Sequence, residues 1–234
     1  MQAVKYIGAL LAMAFSSMGL TDSNPAPTVI GTAYDQENGR FLYTEQHFCS
    51  PDSRLCTVEY RDSFGVIIAQ KWLDYSDSLI SPSLVMNDYR QNSEVSVSSG
   101  DADDTVVDAG FDNYVRSIWD ELFSGEAVRF PFLVLGFDKP FKMRVDQEEN
   151  PSCDRDNLCL LVSLDSWLLG MLTDPIELSY SRDSRKLVRF SGLSNIKGET
   201  GETLMVDIHY QYENDSLPAL LQSQSHQGPS EFIF

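Results

Sequence analysis

Basic residues are scarce in this sequence of 234 residues. It contains 17 lysines and arginines against 35 aspartates and glutamates, which gives a formal net charge of −18 at pH 7. A protein that binds nucleic acid neutralises phosphates with clustered Lys and Arg, so this charge balance argues against nucleic acid as a partner. It also argues against adhesion to anionic lipid surfaces. The simplest role for such acidity is to keep the protein soluble.

Catalytic and metal-binding motifs are also missing. The chain has three histidines, His47, His209 and His226, and none belongs to an H-E-x-x-H pattern. His47 and His209 lie in or beside candidate strands, which allows them to approach one another. The segment that begins at Gly192 starts like a G-x-S-x-G nucleophile elbow but lacks the second glycine. We therefore assign no catalytic residue, no cofactor site and no metal site, and we favour a non-enzymatic protein.

One loop carries closely spaced carboxylates of the kind that bind calcium. Its members are Asp101, Asp103, Asp104 and Asp108. An EF-hand loop that began at Asp101 would need a glycine in place of Val106 and a glutamate in place of Asp112, so that motif is excluded. A looser cation site stays open as an alternative, and a solvated run of charges is the simpler interpretation.

Long apolar runs are absent except at the N-terminus. There, Lys5 precedes an apolar stretch over residues 6–15, and small residues follow as far as Gly19. This pattern is typical of a secretory signal peptide, which we place at residues 1–19, with cleavage after Gly19 or near Ser16. The stretch is shorter than the roughly 20 residues of a transmembrane helix, and no cysteine follows it to carry a lipid. We expect a periplasmic or secreted protein, soluble after cleavage and without a transmembrane anchor.

The four cysteines fall into two close pairs. Cys49 and Cys56 flank one turn-rich segment, and Cys153 and Cys159 flank another. Four cysteines allow three disulfide pairings, and the local pairing is the simplest in an oxidising compartment. A four-cysteine zinc site is the alternative, but zinc sites favour two to four residues between paired cysteines, fewer than are found here. We predict the disulfides Cys49–Cys56 and Cys153–Cys159.

The rest of the chain is dominated by signals for β-strands. We divide it into a disordered lead-in (20–27), a single β-rich domain (28–212) and a loose C-terminal tail (213–234). The predicted strands cover residues 29–34, 41–44, 57–61, 66–73, 94–98, 127–135, 141–145, 158–162, 176–181, 187–190 and 204–212. The last of these alternates most clearly, with Val206 and Ile208 on one face and Asp207 and His209 on the other. A short helix is predicted at residues 165–172.

A single longer helix is predicted between the acidic loop and residue 127. Its apolar residues recur at helical spacing and share one face; they are Phe111, Val115, Ile118, Trp119 and Leu122. Asp108 is the predicted N-terminal cap and Gly125 the predicted left-handed end. An amphipathic helix of this kind covers one side of a sheet. The fold class is therefore mainly β: a curved antiparallel sheet or half-barrel, covered by one amphipathic helix.

The hairpins over residues 60–66 and 176–190, together with the signal peptide, resemble the periplasmic lipoprotein-carrier class. In that class a curved half-barrel with helices over its mouth holds acyl chains. The resemblance covers residues 28–212 loosely, includes no diagnostic motif and transfers no functional residue. The two close cysteine pairs and the strong negative charge depart from that class, and the chain resembles an uncharacterised exported bacterial family equally well.

Three functions follow from these patterns. The first is an exported, non-enzymatic binding protein for an apolar, lipid-like ligand or an envelope protein, with aromatic and aliphatic side chains lining a concave sheet. The second is an envelope hydrolase without a recognisable motif. The third is a structural or assembly protein whose acidic surface meets a basic partner. A hollow interior would favour the first over the others.

Overall fold

The computed structural model of the protein describes residues 26–99, 104–148, 153–166 and 174–213. Within these ranges the chain forms thirteen strands and two short helices. The strands are β1 (Val29–Asp35), β2 (Phe41–Cys49), β3 (Leu55–Arg61), β4 (Ile67–Asp74), β5 (Ser83–Asp88), β6 (Ser93–Val97), β7 (Val106–Val107), β8 (Val128–Leu133), β9 (Phe141–Gln147), β10 (Asn157–Leu164), β11 (Ile176–Ser181), β12 (Leu187–Lys197) and β13 (Thr203–Tyr212). Helices α1 (Gly110–Ser117) and α2 (Trp119–Phe123) lie between β7 and β8.

All thirteen strands belong to one open sheet. Their order is β6-β5-β4-β3-β2-β1-β13-β12-β11-β10-β9-β8-β7, so the first and last strands pair at its centre. Neighbouring strands are antiparallel except β7 and β8, which are parallel. The predicted mainly β fold is confirmed, with the correction that the sheet is mixed at one edge.

The pairing register gives the sheet one continuous apolar face. Ala33 of β1 lies opposite Tyr43 of β2 on one side and Ile208 of β13 on the other, and all three side chains are buried. Because side chains alternate along a strand, the residues between them face outward. The inner face is occupied by two clusters of buried side chains: one on β1–β5, β7, β12 and β13, the other on β7–β11 and the helices.

The helices cover the second half of the inner face. Val115, Trp119 and Leu122 are buried, and the Phe111 ring stacks on Phe130 of β8 at a centroid distance of 5.4 Å. The predicted amphipathic face is therefore correct, but the single predicted helix is divided at Ile118, whose φ of −109° and ψ of 24° are not helical.

The two ends of the predicted helix differ from one another. No side chain caps the start of α1, so the capping role predicted for Asp108 is wrong: this carboxylate binds Lys71 instead. Gly125 follows α2 with a φ of +86°, as predicted, because a glycine adopts this left-handed conformation without steric cost.

Two sets of hydrogen bonds hold the sheet in a strongly curved shape. Arg90 and Gln91, in the turn after β5, donate to the carbonyl oxygens of Lys197 and Gly198 at the end of β12. The amide of Val107 in β7 donates to the Ile80 carbonyl at 2.9 Å. Distant parts of the sheet therefore meet across its inner side.

Several local predictions are corrected by the structure. Strands β5 and β7 were not predicted, and β12 extends to Lys197 where a strand ending at Phe190 was expected. Strand β10 continues through Leu164, and the following two residues are not helical. The rest of the helix predicted at 165–172 lies outside the described residues, as do the signal peptide (1–19) and most of the lead-in (20–27) and tail (213–234). No helix in the described ranges is both long enough and apolar enough to cross a membrane.

Candidate functional site

Both predicted disulfide bonds are present. Cys49 and Cys56 occupy directly paired positions on β2 and β3, with their Cα atoms 4.1 Å apart. Cys153 and Cys159 are bonded with their Cα atoms 6.1 Å apart. The first bond closes the β2–β3 turn and fixes it beside the end of β4.

An open cleft of about 360 Å³ lies against this closed turn. Three segments line it: the β2–β3 turn, the chain that follows β4, and the first turns of α1. The lining residues are Asp52, Ser53, Arg54, Tyr75, Ser76, Asp77, Ser78, Leu79 and Asn113. Its volume falls within the range of roughly 300–1,000 Å³ that is typical of ligand sites.

The walls of the cleft are held by local hydrogen bonds. Asp52 Oδ1 accepts from Ser50 Oγ at 2.6 Å and from the Arg54 amide at 3.2 Å, and the Ser50 hydrogen bond lowers the pKa of Asp52. The Tyr75 amide donates to the Arg54 carbonyl at 2.8 Å. Asn113 Nδ2 donates to the Leu79 carbonyl at 2.9 Å. The three segments are thereby tied to one another before any ligand arrives.

The cleft combines apolar and charged surface. Leu79 leaves 60% of its surface exposed, and the partly buried Tyr75 also lines the cleft. Arg54 Nε lies 3.9 Å from Asp52 Oδ2, and both side chains are mostly exposed, so this ion pair is weak and both groups are free to meet a ligand. The site suits an apolar group flanked by polar or charged atoms.

A buried ion pair lies close to Tyr75. Lys71 Nζ is 2.5 Å from Asp108 Oδ2, and the two side chains are only 5% and 7% exposed. Asn195 Nδ2 donates to the other carboxylate oxygen, Asp108 Oδ1, at 2.7 Å. Burial lowers the pKa of Lys71, but the Asp108 carboxylate, together with Glu45, raises it above its usual value. The pKa of Tyr75 is raised by its own burial and then by Asp108.

A second buried polar group is centred on Glu45 of β2. The Tyr210 hydroxyl donates to Glu45 Oε2 at 3.1 Å, while Tyr43 and Ser194 share a hydrogen bond of 2.7 Å between their hydroxyls. The pKa values of Tyr43, Tyr60 and Tyr210 are well above their usual value, first because these phenols are buried and then because Glu45 is negatively charged.

His47 and His209, whose positions in the sequence allowed them to approach one another, lie on opposite faces of the sheet. His47 is paired with Val29 and His209 with Thr32, and these two β1 positions are three residues apart, so their side chains point to opposite sides. His47 Nε2 is 3.6 Å from Glu45 Oε2, and His209 Nε2 is 3.4 Å from Asp207 Oδ2. The possible approach noted from the sequence is therefore wrong, and neither pair lines the cleft.

The other sequence candidates for chemistry are engaged in structural contacts. Ser194 is buried in β12 and accepts from the Ile196 amide at 2.9 Å, so it is not an exposed nucleophile. Asp108 is bound to Lys71 and Asn195, while Asp101 and Asp103 lie outside the described residues. Among the residues that the structure describes, no group of three His, Cys, Asp or Glu side chains is arranged to hold a metal ion.

A small hollow also lies beside the second disulfide. It is lined by both bonded cysteines, Cys153 and Cys159, and by Arg189. Its volume of about 20 Å³ is close to the space that one water molecule occupies. This hollow is too small for an organic ligand, so the cleft beside Cys49–Cys56 is the better candidate site.

Comparison of the chain with protein-family models, with curated proteins and with solved structures found no match. The resemblance to lipoprotein carriers therefore stays a prediction. Sequence reasoning identified the β2–β3 segment only as a turn and did not identify the cleft. The exposed Leu79 in a polar stretch was the one local signal of it.

Proposed function

We propose that this protein is exported and acts outside the cytoplasm as a non-enzymatic binding protein, with the cleft beside the Cys49–Cys56 disulfide as its binding site. The single observation that carries this proposal is the cleft itself: a space of about 360 Å³ between three segments tied by hydrogen bonds, with an exposed leucine in its lining. Export is supported by the N-terminal signal pattern and by two disulfides, which persist in oxidising compartments.

The proposed occupant is a polypeptide segment of an envelope protein. An acyl chain needs a long apolar lining, whereas this cleft places Asp52, Arg54 and Asp77 around Tyr75 and Leu79. A peptide turn satisfies such a mixed surface, because it inserts one apolar side chain and offers backbone donors and acceptors to the rim. The net charge of −18 favours a basic partner, since opposite charges speed association and oppose wrong partners.

The inner face of the sheet offers less support for an apolar ligand than the sequence suggested. The large side chains that would line a lipid cavity, such as Tyr43, Tyr180 and Leu160, are themselves fully buried against one another and their neighbours. For this reason the proposal places the ligand at the rim of the sheet and not within its curvature.

The proposal is tested with three forms of the mature protein: wild type, Leu79→Asp and Leu193→Asp. Leu193 is the matched control, because it is a leucine of similar exposure, 50% against 60%, on β12 and outside the cleft. Each form is immobilised and exposed to envelope extract from the source cells. We expect the same partner to be retained by wild type and Leu193→Asp, lost by Leu79→Asp, and released from wild type at high salt.

Two outcomes would contradict the proposal. One is retention of an identical set of proteins by all three forms. The other is tight binding of a fluorescent fatty acid to the purified protein, with the same affinity in wild type and Leu79→Asp. That result would favour a lipid site inside the curved sheet. The fold of each variant is checked beforehand by circular dichroism, and an exposed position makes misfolding an unexpected result.

A further inference from the structure

A primary amine, a carboxylate and a carboxamide are joined by hydrogen bonds where three segments of the chain meet; the amine and the carboxylate are buried, and the carboxamide is exposed. Lys71 belongs to β4, Asp108 to the segment between β7 and α1, and Asn195 to β12. One oxygen of Asp108 is 2.5 Å from Lys71 Nζ, and the other accepts from Asn195 Nδ2 at 2.7 Å. A single carboxylate therefore separates a buried amine from a side-chain amide.

We propose that Lys71 and Asn195 form an intramolecular isopeptide bond, with Asp108 as the group that carries the proton. Lys71 first gives a proton to Asp108, and its free Nζ then attacks Cγ of Asn195. The new Nζ–Cγ bond forms as the Cγ–Nδ2 bond breaks, and Asp108 delivers the proton to the departing nitrogen. Asp108 then accepts the second proton that Nζ loses on becoming an amide nitrogen and passes it to the released ammonia, which leaves as an ammonium ion. A lysine ammonium and a carboxamide become one amide and one ammonium ion, so atoms and charge balance without a cofactor or oxidant.

The surroundings of Lys71 favour this chemistry. A general base beside a nucleophile activates it by taking its proton, and Lys71 is 5% exposed with Asp108 at hydrogen-bonding distance. The same ion pair raises the pKa of Lys71, so the transfer of its proton to Asp108 is the demanding step of the reaction. Because Lys71 and Asn195 are both hydrogen-bonded to the same carboxylate, their reaction is intramolecular, and proximity accelerates intramolecular reactions. Because the carboxylate contacts both the amine and the leaving nitrogen, the same group serves as general base and general acid.

The position of Asn195 allows the reaction to proceed. Asn195 lies between Leu193 and Lys197, where the register of β12 against β13 shifts, so it is outside the regular ladder. The residue is exposed to solvent, which gives the released ammonia a direct exit. The product joins β4 to β12 covalently across the inner side of the sheet.

The test is the mass of the purified, full-length mature chain. We expect it to be lighter than its sequence, after correction for the two disulfides, by the mass of one ammonia molecule. Tryptic digestion then yields a branched peptide that joins residues 62–90 to residues 190–197, since Lys71 is no longer a cleavage site. Neither segment contains cysteine, so disulfides do not confuse the assignment.

Two variants distinguish the ammonia lost through this bond from ammonia lost by any other reaction. Asn195→Ala removes the amide and leaves the Lys71–Asp108 pair intact, and Lys71→Arg keeps a cation but removes the primary amine. Both are expected to retain the full mass. The proposal is overturned if the wild-type chain has the full mass and yields residues 62–71 and 190–197 as separate peptides, or if Asn195→Ala still loses ammonia.

Discussion

The buried tyrosines predict that this protein unfolds cooperatively in alkali. Tyr43, Tyr60, Tyr180 and Tyr210 all have pKa values well above 10.0, chiefly because the phenols are buried. In the unfolded chain these groups lose their protons near pH 10, while the folded protein retains them. Because the folded state then binds more protons, the free energy of unfolding falls as the pH rises above 10.

The size of this effect follows from the number of groups. At pH 11, one unit above the unfolded pKa, each such phenol lowers the free energy of unfolding by about 1.4 kcal/mol, and four lower it by about 6 kcal/mol. A loss of this size is comparable with the total stability of about 5–15 kcal/mol of typical domains.

The assay follows phenolate absorbance and far-ultraviolet circular dichroism together as the pH is raised. We expect the buried phenols to ionise in one steep step that coincides with loss of the β-sheet signal. Tyr43→Phe is the control: it removes one titrating group, so the dependence of the unfolding free energy on pH becomes shallower by one proton. A gradual ionisation of every tyrosine near pH 10, with the circular dichroism unchanged, would refute the reasoning.

Two further predictions concern stability, measured by urea unfolding. Lys71→Met is expected to cost about 3–5 kcal/mol, because it leaves the buried Asp108 carboxylate without a counter-ion, although Asn195 still donates to it. Arg129→Met breaks the more exposed pair with Asp165 and is expected to cost about 1 kcal/mol or less. Equal losses would show that burial of the first pair is unimportant. Gly110→Ala is expected to destabilise the protein by about 1–3 kcal/mol, since a Cβ there would lie 2.1 Å from the Ile80 carbonyl oxygen. A variant that unfolds at the same urea concentration as wild type would contradict this close approach.

The fold could be predicted from the sequence where apolar and polar residues alternate along a strand and where turns contain their usual residues. The β1–β2 and β3–β4 hairpins and the alternation of β13 are examples, since local pattern and final environment agree there. Strand β5 was missed because Asp88 occupies an inward position, which breaks the apolar alternation. The cost of burying its carboxylate is offset by hydrogen bonds from the backbone amides of Arg90 and Gln91. These partners follow the strand, so the residues of the strand alone do not predict them.

The candidate site could not be predicted from the sequence, because it is assembled from segments that are far apart along the chain. The cleft needs the β2–β3 turn, the chain after β4 and the start of α1 to meet, and their meeting depends on the register of the sheet. The same is true of β12 beyond Phe190. Ser191 and Ser194 read as loop residues, yet they are buried with partners on other segments, Gln36 and Tyr43.

The most direct test of the binding site is site-specific photo-crosslinking in living cells. A photoreactive amino acid is placed at position 79 in the cleft, or at position 193 as the control of similar exposure, and the adducts are compared after illumination. The account predicts one discrete, mass-shifted adduct to an envelope protein from position 79 and none from position 193. No adduct from position 79, or the same adducts from both positions, would contradict it.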